Sequence, residues 1–354
     1  MKQITTDIVI IGGGLTGLAL AYFLKDSKLS IHILEARDRL GGRILTANQK
    51  QSPPLDMGAT WLGRKHTILF DLLKQLELEV FEQKLGDQAI YEPISTSPPQ
   101  LVQLPPNSDP SFRIKNGTTA LISALASQLE SPQILKEEQV VSIEEQEDKV
   151  NIKTNRHSFR AAKVISTLPP YLFLNSIKVS PELPESLESV LKHTHTWMGD
   201  SIKVSLSFKA PFWRSKNWSG TIFSSVGPIP EMYDHADYDN QQFALKGFFN
   251  SAYFSVSKEE RLDLVLKQLR KYYGNQVDNY LHYEEMVWSK ETFTFLPYSS
   301  HVLPHQNNGH SIFQQPFLNH KLFIAGSETA THSPGYMEGA VRSAKFVAES
   351  ILNQ

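Results

Sequence analysis

Three glycines, Gly12, Gly14 and Gly17, stand at the spacing G-x-G-x-x-G. They follow a short strand-like run over 7–11, apolar after Asp7, and open a helical stretch over 15–24, which is the context this fingerprint needs to bind a dinucleotide. Gly12 permits the tight turn, Gly14 lets backbone approach a pyrophosphate, and Gly17 lets the helix pack closely on the strand. The helix N-terminus, at Leu15 and Thr16, stabilises the anion. Glu35 lies 18 residues beyond Gly17, where an acid receives a ribose hydroxyl in such sites. This pattern alone does not separate NAD from FAD.

The residues that follow make the separation. The stretch Glu35, Ala36, Arg37, Asp38, Arg39, Leu40, Gly41, Gly42, Arg43, Ile44 resembles the second glycine motif of the flavin-containing amine oxidases, the monoamine and polyamine oxidases. Gly41 and Gly42 allow backbone to pass close to a cofactor, and Arg37 and Arg43 offer fork-shaped donors for phosphate charge. Asp56, Met57, Gly58, Ala59, Thr60 and Trp61 resemble the segment that runs beside the flavin in that family. The run LFIAGSETATHSPGYMEGAVRSA over 322–344 resembles it almost without a gap. The resemblance places Gly326, Ser327 and Glu328 at a strand-to-helix turn near the cofactor, with Gly335, Tyr336 and Met337 at its ring. Val140 is a further cofactor contact on the same footing.

Trp288 and Tyr298, ten positions apart, match the family's tryptophan at the flavin border and its second cage tyrosine, so Tyr298 is expected to face Tyr336. Two electron-rich rings suit an amine. The strand over 201–208 alternates, and by pattern alone Lys203 is a solvated residue on its polar face. Its continuation into Pro211, Phe212, Trp213 and Arg214 resembles the stretch bearing the family's lysine, which holds a water against flavin N5. Lys203, Tyr298 and Tyr336 are therefore the expected catalytic residues. In covalent members the residue before the cage tyrosine is a cysteine. Here it is Pro297, and the chain contains no cysteine, so FAD is expected to be held non-covalently. The same absence excludes disulfides, thiolate metal sites and thiol nucleophiles. His193 and His195 share one strand face without a third ligand at useful spacing, and no metal site is expected. His332, inside the C-terminal motif, is read as supporting its turn. Two departures from the family are visible: the chain is shorter than typical members, and Asn116 replaces a glycine before Gly117.

The elements that must position these residues follow from periodicity. Apolar runs over 7–11 and 30–34 read as buried strands around the helix 15–24, one βαβ unit rather than a leader peptide or membrane span, because Gly12, Gly13 and Gly14 interrupt the apolar stretch. Helices are expected over 66–78, 118–129, 258–272 and 339–351, and strands over 139–144, 150–154, 163–167, 243–249 and 322–325. Prolines over 92–110 are incompatible with a helix or central strand and read as a surface crossing. The expected fold class is α/β: a doubly wound, Rossmann-like FAD domain with a second α+β substrate domain on a mixed sheet. The FAD domain is assigned 1–80, 113–170 and 301–354, and the substrate domain 81–112 and 171–300.

The chain has 354 residues, with 35 basic against 37 acidic side chains, and neither sign forms blocks, so nucleic acid is excluded as a partner. No apolar tail suggests a membrane anchor, and a cytoplasmic location is expected. Oligomeric state and the identity of the amine are not encoded in any motif. The resemblance implies an FAD-dependent oxidase that carries an amine to an imine, then to aldehyde or ketone, with O2 as acceptor and H2O2 released. A flavin desaturase or protoporphyrinogen-oxidase-like enzyme shares the glycine motifs without needing paired tyrosines. An FAD-retaining regulatory protein without turnover is the alternative outside enzymes.

Overall fold

A computed structural model describes residues 3–129 and 133–353. Its first sheet has eight strands, ordered Gln133–Leu135, Ile31–Leu34, Gln3–Ile11, Ser158–Ser166, Lys149–Thr154, Val140–Gln146 and Lys178–Ser180, with Leu322–Ile324 also on Ser158–Ser166. The strands around Gln3–Ile11 are parallel, with Ile8 opposite Ile31 and Lys163. Their side chains alternate between two cores. Ile8, Ile10, Ile33 and Ile165 pack with the helices Leu15–Leu24, Thr67–Gln75, Thr119–Ser127 and Met337–Leu352. Val9, Ile11, Leu34 and Val164 face the other way, onto Ile143, Val150 and Ile152. Burial on both faces explains why these strands read as unbroken apolar runs.

Ser158–Ser166 is long enough to serve two partners on one edge. Its first half pairs antiparallel with Lys149–Thr154 and its last residues pair parallel with Leu322–Ile324. The antiparallel branch therefore leaves the sheet and covers its second face, joined by helices Pro170–Ser176 and Glu185–Lys192 through Phe173, Leu187 and Leu191. Within 171–300, the early part thus packs against the first sheet, through Lys178–Ser180 and those two helices, and the later part builds the second sheet.

That second sheet is mixed, ordered Tyr280–Val287, Ile202–Phe208, Phe243–Phe249, Glu231–Asp234, Thr221–Ser224, Gln88–Glu92, Gln100–Gln103. All its pairings are antiparallel except Thr221–Ser224 with Gln88–Glu92. The expected crossing over 92–110 supplies the edge strand Gln100–Gln103. An edge tolerates the prolines that flank it, because only one side of the strand needs donors. Helix Lys258–Tyr273 covers one face with Val265, Leu266 and Leu269. It starts at Ser257, whose side chain accepts from the Glu260 N–H, and stops at Gly274. Every residue of Ile202–Phe208 is buried. The apparent polar face of this strand is dry because the segment 54–61 lies across it, which periodicity cannot reveal.

Asn116 has φ of 65° and Gly117 of 84°. The loop there needs left-handed backbone, and asparagine is among the few residues that adopt it at low cost, so the missing glycine leaves the turn intact. Gly17 has no such latitude. A Cβ on it would stand 2.1 Å from the Gly12 carbonyl oxygen, a clash between two backbones that no rotamer relieves. Gly17→Ala is therefore expected to cost about 3 kcal/mol, read as a fall in the urea midpoint. A wild-type midpoint would show that helix and strand are not so closely apposed.

Candidate active site

A cavity of about 1100 Å³ runs between the two sheets. At one end it is lined by Gly12, Gly14, Leu15 and Thr16, then by Glu35, Ala36, Arg37, Gly41, Gly42 and Arg43, and along its side by Val140. Helix Leu15–Leu24 starts at Gly14, and no side chain caps it. The first-turn N–H groups thus lack a side-chain partner and point where an anion gains most from the helix dipole. Gly12 has φ of 106°, and a Cβ there would meet Thr167 Oγ1 at 2.6 Å. Glu35 accepts hydrogen bonds from the Gly13 N–H (2.8 Å) and the Arg37 N–H (2.9 Å). Each of its oxygens keeps a lone pair for a ribose hydroxyl. Size, glycine cradle, uncapped helix and acid together fit a dinucleotide of the FAD type.

The arginines take a different part from the one expected. Arg37 pairs with Glu291 at 2.7 Å and Arg39 approaches the same carboxylate at 3.7 Å. Arg43 grips Glu328 with both terminal nitrogens, at 2.6 and 2.8 Å, and also donates to Ser327 Oγ at 2.8 Å and to the Trp197 carbonyl at 3.1 Å. The guanidinium groups thus tie chain segments together, and the helix N-terminus is left as an anion-attracting feature at this end. Burial alone would raise the Glu328 carboxyl, but the charge and hydrogen bonds of Arg43 outweigh it and hold it below the ordinary value.

Along the middle of the cavity run Gly58, Ala59, Thr60, Trp61 and Trp288, and at its far wall Ser327, Gly335, Tyr336 and Met337. A Cβ on Gly58 would lie 2.2 Å from the Arg43 carbonyl oxygen, so only glycine lets the two strands of the cradle approach. The Trp288 indole N–H donates to the Met57 carbonyl at 2.8 Å. Gly17, Gly326 and Glu328 do not line the cavity; they act behind its wall, Gly326 at φ of 147° and with its N–H on Ser343 Oγ at 3.1 Å.

Lys203 lines the cavity and is buried. Its ammonium donates to the Gly58 carbonyl and lies 5.0 Å from the Phe248 ring and 5.6 Å from that of Trp61. Desolvation lowers it to about 8, against the opposing pull of Asp56 and Glu231. A second buried lysine, Lys246, was not singled out from the sequence. It donates to Thr60 Oγ1 and sits 4.7 Å from the Trp61 ring. Thr60 in turn donates to the Gly58 carbonyl at 3.0 Å. Gly58 and Thr60 therefore join the two lysines in one hydrogen-bond chain. Burial, reinforced by the charge of Lys203, pushes Lys246 well below its ordinary value. Only its register, Lys246 opposite Ser205 on the strand that carries Lys203, could have revealed it.

The two expected cage tyrosines differ in their exposure to the cavity. Tyr336 lines the cavity, but Tyr298 does not. The Tyr298 hydroxyl accepts from the Thr196 N–H at 2.6 Å and donates to the Thr194 carbonyl at 3.0 Å, and its ring lies 4.5 Å from Tyr171. Backbone groups and a neighbouring ring satisfy it away from the cavity. The rings beside Tyr336 are Trp197, 6.0 Å away at 41°, and His66, 6.0 Å away at 46°. Trp197 stacks on His305 at 4.1 Å, and its backbone is held by Arg43 and Glu328. It lies outside every recognised motif, so the sequence carried no signal for it. Near Trp197, His195 touches His305 at 6.3 Å. Among the described residues no group of three or more His, Cys, Asp or Glu is placed to hold a metal, and no helix is long and apolar enough to cross a membrane.

The pattern of the family described as "Flavin containing amine oxidoreductase" matches residues 15–97 and 95–352. The chain is similar to amine oxidase [flavin-containing] B of Sus scrofa, 26% identical over 452 residues, covering 98% of this chain and 86% of that protein. The same protein of Homo sapiens is 25% identical with the same coverage. In fold it resembles a putrescine oxidase bound to putrescine, with a TM-score of 0.86 at 20% identity over 100% of both chains. Cyclohexylamine oxidase from Brevibacterium oxydans gives 0.84 at 20%, covering 98% and 99%.

Glu328→Gln leaves the Arg43 charge buried and unpaired, which is expected to cost about 3 kcal/mol of stability. Because the carboxyl is held below its ordinary value, the pair stabilises the fold above that value and loses its contribution as pH falls through the folded one. Acid titration of the urea midpoint is therefore expected to be shallower in the variant than in wild type. Equal slopes would show that the pair does not stabilise the fold.

Proposed function

The chain belongs to the flavin containing amine oxidoreductase family, and from that premise we propose that it oxidises an amine held between Lys203 and Tyr336, with FAD lying along the cavity. It is an FAD-dependent enzyme acting on amines. The observation that carries the finer reading is the continuity of one cavity from the Gly12–Gly14 turn to the buried amine of Lys203. FAD would be held by Gly12, Gly14, Glu35, Gly41, Gly42 and the segment 58–61, without a cysteine bond since the chain has no cysteine.

When bound, FAD supplies the redox chemistry, accepting a hydride equivalent from the amine α-carbon and passing the electrons to dioxygen, with an imine and hydrogen peroxide as products. The protein's own residues do the rest. Tyr336 and Trp197 present aromatic faces that orient the amine. Trp61, Trp288 and Phe248 exclude bulk water from the middle of the cavity. Lys203, anchored on the Gly58 carbonyl, has two further N–H donors with which to hold a water where the imine must be hydrolysed or oxygen must approach. Its positive charge also disfavours a protonated nitrogen beside it, so the reacting amine is bound neutral. A free alkyl amine has a pKa of about 10.4, and turnover at low substrate should rise with pH.

Two measurements test this reading. Anaerobic mixing with a panel of amines is expected to bleach the flavin absorbance, and a panel that leaves it unchanged refutes amine oxidation. Lys203→Met is expected to slow flavin reduction or reoxidation by about a hundredfold while FAD remains bound. In wild type the pH profile of kcat/KM should carry an inflection near the Lys203 value of about 8, and the variant should lack it. Identical half-reaction rates and profiles would remove Lys203 from the mechanism.

A further inference from the structure

The far arm of the cavity carries a carboxylate that the reaction above does not use. Across the second sheet Lys203 stands opposite Phe248, Phe248 opposite Glu231, and Glu231 opposite Phe223. Directly opposed residues point to one face, so the four form a row, and all four line the cavity. Adjacent strands are about 4.8 Å apart, which sets the backbone of Glu231 roughly 10 Å from that of Lys203.

The Glu231 side chain has one hydrogen bond, accepted from the Tyr233 hydroxyl at 3.1 Å. Burial, and then the charge of Glu231, push that hydroxyl well above its ordinary value, so Tyr233 remains a donor. Among the described residues Glu231 has no ion-pair partner. Phe248 and Phe223 flank it across the sheet and Tyr233 is hydrogen-bonded to it, and all three line the cavity. A half-buried carboxylate in such a wall loses hydration with only the more distant charge of Lys203 to answer it, an arrangement that a cation placed beside it would complete. The aromatic faces around it favour the same kind of guest.

We propose that the substrate is a diamine with two nitrogens joined by a short aliphatic chain, and that Glu231 holds the non-reacting ammonium while the other nitrogen sits beside Lys203. The inference rests on the amine-oxidase reading and specifies its substrate class. The two ends of the row sort the two nitrogens: the cation at Lys203 favours a neutral amine, and the anion at Glu231 favours a charged one. The apolar stretch between them, Phe248 and Trp61, fits the methylenes. A monoamine of the same length leaves Glu231 uncompensated.

The test compares cadaverine with n-pentylamine, identical in carbon chain and different only in the second nitrogen, on the FAD-loaded enzyme. The expected kcat/KM ratio is about a hundredfold in favour of the diamine, the size of a charge-assisted hydrogen bond. Glu231→Gln, which keeps shape and removes charge, should lose most of that ratio while pentylamine turnover stays within about threefold. Pentylamine oxidised as well as cadaverine by wild type overturns the inference and leaves the amine-oxidase reading standing. Oxidation of neither also overturns the inference, and the amine panel then decides the amine-oxidase reading by itself. Should the variant fail to retain FAD, the wild-type ratio alone decides.

Discussion

The Arg43–Glu328 pair is the contact on which the site is assembled. It joins the second glycine turn to the C-terminal motif, 285 residues apart, and through the carbonyl and N–H of Trp197 it fixes a third segment. A planar guanidinium with parallel donors can satisfy a carboxylate, a hydroxyl and a carbonyl at once, which a lysine cannot. Glu328 is fully buried, so its charge is tolerable only with that partner in place. The wall that carries Ser327, Gly335 and Tyr336 therefore has its position set from behind by Glu328, which does not line the cavity, in the grip of Arg43, which does.

Much of this was legible in the sequence, because the glycines report close backbone approach directly. Gly12, Gly17 and Gly58 each occupy a place where a Cβ would strike main chain or a neighbouring side chain, and such places tolerate no substitute, so the pattern survives as text. The strands beside them were legible for a similar reason, since burial on both faces leaves unbroken apolar runs. Boundaries differed by a few residues, as in Met337–Leu352 against the expected start at 339.

What the sequence did not show is which polar residues are dry. Lys203 reads as solvated from alternation, and only the resemblance moved it inside. Lys246 and Glu231 carry no motif and are buried or half-buried because the segment 54–61 and neighbouring strands close over one sheet face. Tyr298 shows the opposite failure. Its position ten residues after Trp288 matches the family, yet its hydroxyl is engaged by Thr194 and Thr196 and it does not line the cavity, whereas Trp197, which no motif marked, does. Side-chain direction at a loop depends on neighbours from other parts of the chain, and spacing holds no record of them.

The peptide between Gly58 and Ala59 belongs to both halves of the cavity. Its N–H, that of Ala59, donates to the Arg43 carbonyl at 3.0 Å, and its carbonyl, that of Gly58, receives Lys203 and Thr60. The strand of Lys203 and the second glycine turn are thereby tied to opposite edges of one planar amide, so neither can shift without turning the other.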